Sequence, residues 1–200
     1  MAFEALKERL EHNGFTVHVF ETKEEAADYL DEAIDGTTVG SGGSVTLQEL
    51  GVLPRLARHN QFFNHGGSPD PELAKKNAAK AEVYLLSANA IAEDTGEILN
   101  IDGVGNRVSS SLWGHSRLYF VAGKNKISPD FNSALWRLRN IVAPKNAQRL
   151  HRNTPCAARA DRCYNCSSPE RICNALVVHY KRMMGSMAQE VILINEDLGY

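Results

Sequence analysis

Four cysteines lie within eighteen residues of the chain, in the spacing C-x6-C-x2-C-x6-C. They are Cys156, Cys163, Cys166 and Cys173. In a reducing compartment a disulfide is not expected, and the central C-x2-C pair can bring two thiolates to one metal. Structural zinc usually draws on two such pairs and this segment has one, so the spacing agrees with an iron–sulfur cluster, with zinc, and with free or redox-active thiols. We therefore expect a metal-binding segment at about residues 153–174, with an iron–sulfur cluster as the first choice and zinc as the alternative.

A run of small residues follows a predicted short strand and precedes a predicted helix. It consists of Gly40, Ser41, Gly42, Gly43 and Ser44. Backbone N–H groups without side-chain cover, next to the start of a helix, form a site for phosphate or carboxylate. The spacing matches neither the dinucleotide fingerprint nor a Walker loop. The run therefore predicts an anion site, and a tight turn is the simpler alternative.

Polar and charged side chains are dense between residues 89 and 126, at predicted strand ends and turns. They are Asn89, Glu93, Asp94, Asn100, Asp102, Asn106, Arg107 and Lys126. Ligands of open parallel sheets bind beyond the carboxyl ends of the strands, so these groups are expected to meet around a polar substrate. Asn and Asp are also ordinary turn residues. In an enzyme, Glu93 or Asp94 would act as the base and Lys126 would stabilise negative charge. His65, followed by two glycines at a strand end, is the histidine we expect to matter most.

The elements that must position these residues follow from local patterns. Apolar runs and alternation predict strands at residues 15–20, 37–39, 61–64, 83–86, 97–101, 118–122 and 191–194. Thr22 with Glu25 forms a predicted capping box, and Asp70 before Pro71 predicts a second helix start. Apolar spacing predicts a helix from residue 131 that ends at Pro144. Strands that alternate with helices predict an α/β fold with a mostly parallel sheet in three layers.

Composition limits the class of protein. The chain has 200 residues, 43% of them hydrophobic, which is enough for one domain with one large core. The net charge of −2 and the lack of a recognisable nucleic-acid module argue against a nucleic-acid partner. No stretch approaches 18 apolar residues, and residues 1–10 do not form a signal peptide. We expect a cytoplasmic protein without a membrane span.

Several blocks, in this order, resemble the LUD-domain proteins, a family linked to lactate utilisation and formerly of unknown function. They are VGSGGSVTL at 39–47, SANAIAED at 87–94, NIDGVGNRV at 100–108 and GKNKI at 123–127. The cysteine block from 154 to 174 and the ending NEDLGY at 195–200 resemble one small-protein branch of that family. The resemblance covers residues 14–200.

The resemblance implies a fold similar to the ribose-5-phosphate isomerase, glucosamine-6-phosphate deaminase and CoA-transferase group. It also implies that the glycine run holds an anionic group, and that the polar residues between 89 and 126 line the pocket. Fold alone does not assign an activity. The first functional hypothesis is support of lactate oxidation to pyruvate, by electron transfer through a cysteine-bound centre or by binding a small carboxylate. The alternatives are an enzyme of the isomerase or CoA-transferase type and a non-catalytic subunit that docks redox partner proteins. A homodimer is expected from related folds.

Overall fold

The computed structural model describes residues 3–200, which contain ten strands and nine α-helices. The strands are β1 (Thr16–Phe20), β2 (Thr38–Ser41), β3 (Gln61–Asn64), β4 (Val83–Ser87), β5 (Ala90–Ala92), β6 (Ile98–Asp102), β7 (Arg117–Gly123), β8 (Ile127–Ser128), β9 (Ala175–His179) and β10 (Ala188–Ile194). The helices are α1 (Glu4–His12), α2 (Lys23–Ala33), α3 (Val45–Leu50), α4 (Val52–Leu56), α5 (Pro71–Ala78), α6 (Asn106–Leu112), α7 (Phe131–Arg137), α8 (Ala143–Arg149) and α9 (Pro155–Arg159). A 3₁₀ turn covers Lys124–Lys126, and a π-helical turn covers Leu138–Val142.

The central sheet has six strands in the order β1-β10-β7-β4-β2-β3. Every neighbouring pair in it is parallel. Strands β4 and β7 are buried along nearly all their length, as expected for a parallel sheet that is covered on both faces. The predicted α/β class with a mostly parallel sheet is confirmed. Because the strands are parallel, their carboxyl ends all meet at one edge, where ligands bind in open α/β sheets.

A second sheet of four strands, in the order β8-β5-β6-β9, was not predicted. Strands β5 and β6 form an antiparallel hairpin, and β9 adds to β6 in the antiparallel direction. Strands β5 and β8 have three and two residues, too few to show a hydrophobic period. The predicted strand at 97–101 therefore exists as β6, but it belongs to this smaller sheet.

Three hydrophobic clusters of the described residues lie between the layers. On one face of the central sheet, Leu30 of α2 and Leu47 of α3 pack against sheet residues such as Leu85. On the other face, Leu6 of α1 packs in one core with Ile91 of β5. The far side of the small sheet packs in turn against α7. The small sheet thus lies between the central sheet and α7, which brings its strand ends near the carboxyl edge of the central sheet.

Local helix signals are mostly confirmed. The Thr22 side chain accepts a hydrogen bond from the Glu25 N–H, and Glu25 closes the capping box in return. Asp70 accepts from the Leu73 N–H and Pro71 is the first helical residue. The predicted helix end at Pro144 is wrong. The π-helical turn ends just before α8, so Pro144 stands in the first turn of a new helical segment, where a missing N–H is tolerated.

Among residues 3–200, no helix combines the length and apolar character needed to cross a lipid bilayer. The longest α-helix in that range, α2, has 11 residues and carries acidic side chains in its first turn.

Candidate functional site

A cavity of about 180 Å³ lies at the carboxyl ends of the central strands. The segments that follow β2, β4 and β7 border it, together with the end of β6 and the helix α8. Most of the predicted binding residues meet here, although they are spread over more than eighty positions of the chain. Those that line the cavity are Gly43, Ser44, Asn89, Asp102, Asn106, Arg107 and Lys126.

The glycine run contributes its last two residues to the cavity wall. Ser44 caps α3 by accepting a hydrogen bond from the Leu47 N–H at 3.1 Å. Its hydroxyl also donates to Ser87 Oγ at 3.0 Å, which ties the loop after β2 to the end of β4. Gly43 lies beside His65, because a Cβ built on Gly43 would be 3.6 Å from His65 Nε2. The run is thus held against two neighbouring strand ends.

The first three residues of the run do not line the cavity. A Cβ at Gly40 would come within 2.5 Å of the Ala78 carbonyl oxygen, so glycine there lets α5 pack closely on β2. A Cβ at Gly42 would overlap the side chain of Arg107. Ser41 is buried and accepts a hydrogen bond from Asn64 Nδ2 at 2.6 Å. These three residues serve packing, so the part of the run that can face a ligand is shorter than expected.

Asp102 organises the loop that follows β6. Its Oδ1 accepts hydrogen bonds from the N–H groups of Val104 and Gly105, at 3.1 and 3.2 Å. Its Oδ2 accepts from the N–H groups of Arg107 and Val108, at 3.2 and 3.4 Å. Four backbone donors already occupy the two oxygens of this carboxylate, so little of its acceptor capacity is left for a substrate. Asp102 therefore positions the start of α6 and the Arg107 side chain.

Two asparagines join the β5–β6 hairpin at the cavity end. Asn89 Oδ1 accepts a hydrogen bond from the Ile101 N–H at 2.9 Å, and Asn100 Oδ1 accepts from the Asn89 N–H at 3.2 Å. Asn100 is fully buried and its Nδ2 has no hydrogen-bond partner in residues 3–200. Asn89 lines the cavity, whereas Asn100 supports it from behind.

Arg107 carries positive charge to the cavity wall. Its Nη2 donates to the Ile101 carbonyl oxygen at 2.7 Å, and its Nε lies 3.4 Å from Asp102 Oδ2. Its side chain is 14% exposed. The Nη1 group has no partner within residues 3–200. Arg107 is thus fixed on one side and has donors available on the other, as a carboxylate site requires.

Lys126 is the most buried cation that lines the cavity. Its residue is 2% exposed, and it makes no hydrogen bond or ion pair within residues 3–200. It stands at the end of the 3₁₀ turn after β7, and a Cβ at Gly199 would be 3.3 Å from its Nζ. Burial, with the positive charges of Arg137 and Arg107, lowers the pKa of Lys126 to about 7. An unpaired amine of this kind is suited to an anion or to covalent chemistry.

His65 follows β3 and lines the cavity. Burial lowers its pKa, and the positive charge of Lys75 acts in the same direction. The ring is therefore neutral near pH 7. Its Nδ1 is buried without a hydrogen-bond partner in the described part of the chain. A neutral imidazole in the wall of a cavity can accept a proton from a bound molecule and return it.

The structure does not bring Glu93 and Asp94 to this cavity. Both are exposed in the turn between β5 and β6, and Asp94 borders a shallow groove beside α1 instead. The reason is the hairpin: Asn89 and Asp102 lie at its cavity end, and the turn lies at the other. A strand advances about 3.3 Å per residue, so the four residues from Asn89 to Glu93 cover roughly 13 Å.

Sequence reasoning missed the wall that α8 and the last residues supply. Arg149, Arg152 and Tyr200 all line the cavity. The Tyr200 hydroxyl donates to Asn146 Oδ1 at 2.8 Å and accepts from Arg149 Nε at 3.0 Å. Because the sequence predicted that the helix ends at Pro144, α8 was not expected, and no local pattern indicated that its residues line the cavity. The two arginines add to the positive charge around the cavity.

The four cysteines are all half-buried, and the thiols of three of them, Cys156, Cys163 and Cys173, lie beside polar groups of different residues. Arg171 Nε donates to Cys173 Sγ at 3.1 Å, and Arg139 Nη2 lies 3.6 Å from Cys163 Sγ. The Thr154 hydroxyl lies 3.3 Å from Cys156 Sγ. The hydrogen bond to Cys173 raises the pKa of Arg171, helped by the nearby thiols of other cysteines. Basic and polar donors thus surround the sulfur atoms.

This arrangement does not fit a metal centre as it stands. Within residues 3–200, no group of three or more His, Cys, Asp or Glu side chains is placed to hold a metal ion. Four thiols are nevertheless the correct donor set for an iron–sulfur cluster or for zinc. The metal centre therefore stays a prediction from the spacing.

The cysteine segment nevertheless contacts the cavity. Ile172 lies in the cavity wall, and a Cβ at Gly103 would be 2.9 Å from the Ile172 Cα. The Asn174 N–H donates to the Asp102 carbonyl oxygen at 3.0 Å, and its Nδ2 donates to the Gly103 carbonyl oxygen at 3.0 Å. The loop that carries Arg107 is therefore packed against the segment that carries the thiols.

Comparison with known proteins agrees with this fold. The family model of the LUD domain matches residues 3–194. The crystal structure of a DUF162 family protein from Deinococcus radiodurans is similar to the chain, with a TM-score of 0.52 at 10% identity over 94% of each chain. A crystal structure of eIF2B delta from Chaetomium thermophilum matches 57% of this chain and 50% of its own at 13% identity, but its TM-score of 0.35 is too low to bear on the fold. No curated protein sequence matches the chain. The match over almost the whole length shows that the chain belongs to the LUD domain family.

Proposed function

We propose that the cavity binds a small carboxylate of the 2-hydroxy or 2-oxo acid class, in support of lactate oxidation to pyruvate. Membership of the LUD domain family supports a role related to lactate utilisation in general. The chemistry of the cavity supports the narrower assignment, because its charged and hydrogen-bonding groups match those of a short hydroxy or oxo acid.

The observation that carries the proposal is the buried positive charge. Among residues 3–200, Lys126 has no acidic partner and Arg107, which lines the same cavity, has an Nη1 group without a partner. An isolated buried charge is unfavourable unless it is paired. A carboxylate in the cavity would pair with both groups, and Asn89 and Ser44 can meet a hydroxyl or carbonyl oxygen.

The size of the cavity favours a short acid. Sites for drug-sized ligands have volumes of roughly 300–1,000 Å³. A volume of about 180 Å³ suits a metabolite of a few heavy atoms better than an acyl-CoA. The same volume is less favourable for a phosphorylated sugar.

An isomerase or CoA-transferase reaction is less well supported. It was expected to use Glu93 or Asp94 as the base, and both lie outside the cavity. Asp102, which lines it, already accepts four backbone hydrogen bonds. The cavity therefore favours binding and orientation of an acid over proton abstraction by a carboxylate.

Electron transfer through a cysteine-bound centre stays a separate hypothesis, and no step of the proposal is assigned to such a centre. A cluster would supply one-electron chemistry if it were bound. Cys156, Cys163, Cys166 and Cys173 are the residues that would hold it. A non-catalytic subunit that binds the acid and docks a redox partner protein would also use the cavity.

Calorimetric titration and thermal unfolding test the proposal. D-lactate, L-lactate and pyruvate should bind and raise the Tm, whereas the uncharged amide of lactate should not. At a hundredfold excess over its Kd, a ligand that binds only the folded state stabilises it by about 2.7 kcal/mol. Lys126→Met should weaken binding tenfold or more, since it removes the buried charge. Lys124→Met, at an exposed position two residues away, is the matched control and should bind normally.

Two results would contradict the proposal. One is the absence of binding by all three acids to a folded wild-type protein. The other is tighter binding of a sugar phosphate or an acyl-CoA than of any short acid, which would favour the isomerase or transferase hypothesis.

A further inference from the structure

Lys126 has a chemical option beyond charge pairing. Its side chain is almost completely buried, it has no hydrogen-bond acceptor or ion-pair partner in residues 3–200, and it lines the cavity. A lysine that only stabilises a fold normally extends its ammonium group to water or to a carboxylate. Lys126 has no carboxylate partner among residues 3–200, because Glu49, the acid whose charge acts on it, instead accepts the Gly199 N–H.

The surroundings of Lys126 favour its neutral amine. Burial and the nearby positive charges of Arg137 and Arg107 lower its pKa to about 7, so a large share of the amine is unprotonated near neutral pH. The neutral amine is the nucleophilic form, and desolvation of a lysine in this way is a known means of activating it. An exposed lysine at the same pH is almost entirely protonated.

We propose that Lys126 Nζ condenses with the carbonyl carbon of a short 2-oxo acid in the cavity and forms a reversible imine. This inference rests on the proposed carboxylate-binding function and deepens it, because it separates 2-oxo acids from 2-hydroxy acids. Arg107, with free N–H donors, takes the carboxylate, which leaves the carbonyl group for Lys126.

The step balances without an oxidant or a reductant. The amine nitrogen adds to the carbonyl carbon, and one of its two protons passes to the carbonyl oxygen, which becomes a hydroxyl group. The nitrogen then expels this group as water and forms the C=N bond. His65, neutral and in the same cavity, can accept the amine proton and return it to the departing hydroxyl. Hydrolysis reverses each step and releases the unchanged 2-oxo acid.

Reductive trapping tests the inference. The full chain is incubated with pyruvate and treated with sodium borohydride, which reduces an imine to a stable secondary amine. Intact-mass measurement should show one added reduced pyruvate unit per chain, and peptide mapping should place it on Lys126. L-lactate, which lacks a carbonyl group, should give no adduct under the same conditions.

Variants at the same position give the matched controls. Lys126→Arg keeps a positive charge but cannot form the imine, so it should lose the adduct. Lys124→Arg should form the adduct as the wild type does, because Lys124 is exposed and lies outside the cavity. The far-ultraviolet circular dichroism spectrum of each variant confirms that it is folded. Adduct yield in the wild type should rise between about pH 6 and about pH 8, as the fraction of neutral amine increases.

The outcomes separate the two proposals. If pyruvate raises the Tm but leaves no adduct, or if the adduct is spread over exposed lysines, the imine is overturned and carboxylate binding stands. If neither pyruvate nor lactate binds, the proposed function itself fails. Binding of both acids with trapping of pyruvate alone at Lys126 supports both proposals.

Discussion

Asp102 Oδ2 accepts the backbone N–H of Arg107 at 3.2 Å and lies 3.4 Å from the Nε of the same residue. One carboxylate oxygen thus holds both the backbone and the guanidinium of the arginine that borders the cavity. The other oxygen holds the two residues before α6. Asp102 therefore positions the guanidinium of Arg107 at the cavity, and a substitution of Asp102 tests this role.

Asp102→Asn should weaken binding of pyruvate or lactate while the chain stays folded. The amide nitrogen cannot accept a hydrogen bond, so one pair of backbone donors and the Arg107 guanidinium lose their partner. Leaving a buried donor unpaired costs about 1–3 kcal/mol, so the Tm should fall as well. Calorimetric titration and thermal unfolding measure the two effects.

The control for that variant is Asp130→Asn. Asp130 caps α7 by accepting the Ser133 N–H at 2.8 Å and lies outside the cavity. Asparagine caps a helix about as well as aspartate, so Asp130→Asn should change the Tm little and leave the ligand affinity unchanged. Equal affinity in Asp102→Asn and the wild type would show that Asp102 does not position Arg107 for the ligand.

The pH dependence of stability should reveal the buried amine. The pKa of Lys126 is about 7 in the folded chain and near its ordinary value of 10.5 when unfolded. Between these values the unfolded chain binds more protons, so the free energy of unfolding rises with pH, by at most about 1.4 kcal/mol per pH unit. Lys126→Met should therefore be more stable than the wild type at about pH 7, by a margin that shrinks at about pH 9. Urea unfolding measures the difference, and a margin that does not change with pH would contradict the lowered pKa.

His59 should contribute stability with the opposite pH dependence. Its ring nitrogens lie 2.9 Å from Asp31 Oδ1 and 2.8 Å from Asp35 Oδ1, and the hydrogen bond to Asp31 in particular raises its pKa. Because the pKa of His59 is higher in the folded chain than in the unfolded chain, its protonation stabilises the fold. This contribution is complete at pH values below the pKa of the unfolded chain, and it is lost as the pH rises through the pKa of the folded chain. His59→Gln should lower the Tm at about pH 5.5 more than at about pH 8.5, on either side of the ordinary pKa of about 6.5.

His12→Gln is the control for that comparison, since His12 is exposed and has no ion pair within residues 3–200. Its effect on the Tm should be small at both pH values. A similar loss of Tm in both variants would show that the Asp31–His59–Asp35 contacts do not stabilise the fold.

Elemental analysis with electron paramagnetic resonance tests the cysteine segment. If the segment holds an iron–sulfur cluster, anaerobically prepared protein is coloured, contains iron in proportion to the chain, and loses both in Cys163→Ser. Zinc in proportion to the chain, without colour, would support the alternative. Four thiols that all react with a thiol reagent in metal-free protein would contradict both and agree with the present arrangement of the sulfur atoms.

Much of the fold follows from short-range patterns in the sequence. The buried runs of β4 and β7, the capping box at Thr22 and the cap at Asp70 each depend on residues a few positions apart. Hydrogen bonds within a helix and the alternation along a strand are local, so the chain displays them directly. The sequence also shows which residue types are available to form the cavity. Gly43, Asp102 and Lys126 each stand at or just after a strand end that can be recognised in the sequence.

Only the tertiary structure decides which of these residues meet. The β5–β6 hairpin carries Glu93 and Asp94 away from the cavity although they are close to Asn89 in sequence, because an antiparallel pair reverses direction. The π-helical turn lets α8 continue past Pro144 and bring Arg149 to Tyr200. Burial of Lys126, and the contact between Arg139 and Cys163, depend on packing between distant segments. Such packing is set by the whole core, and no local spacing encodes it.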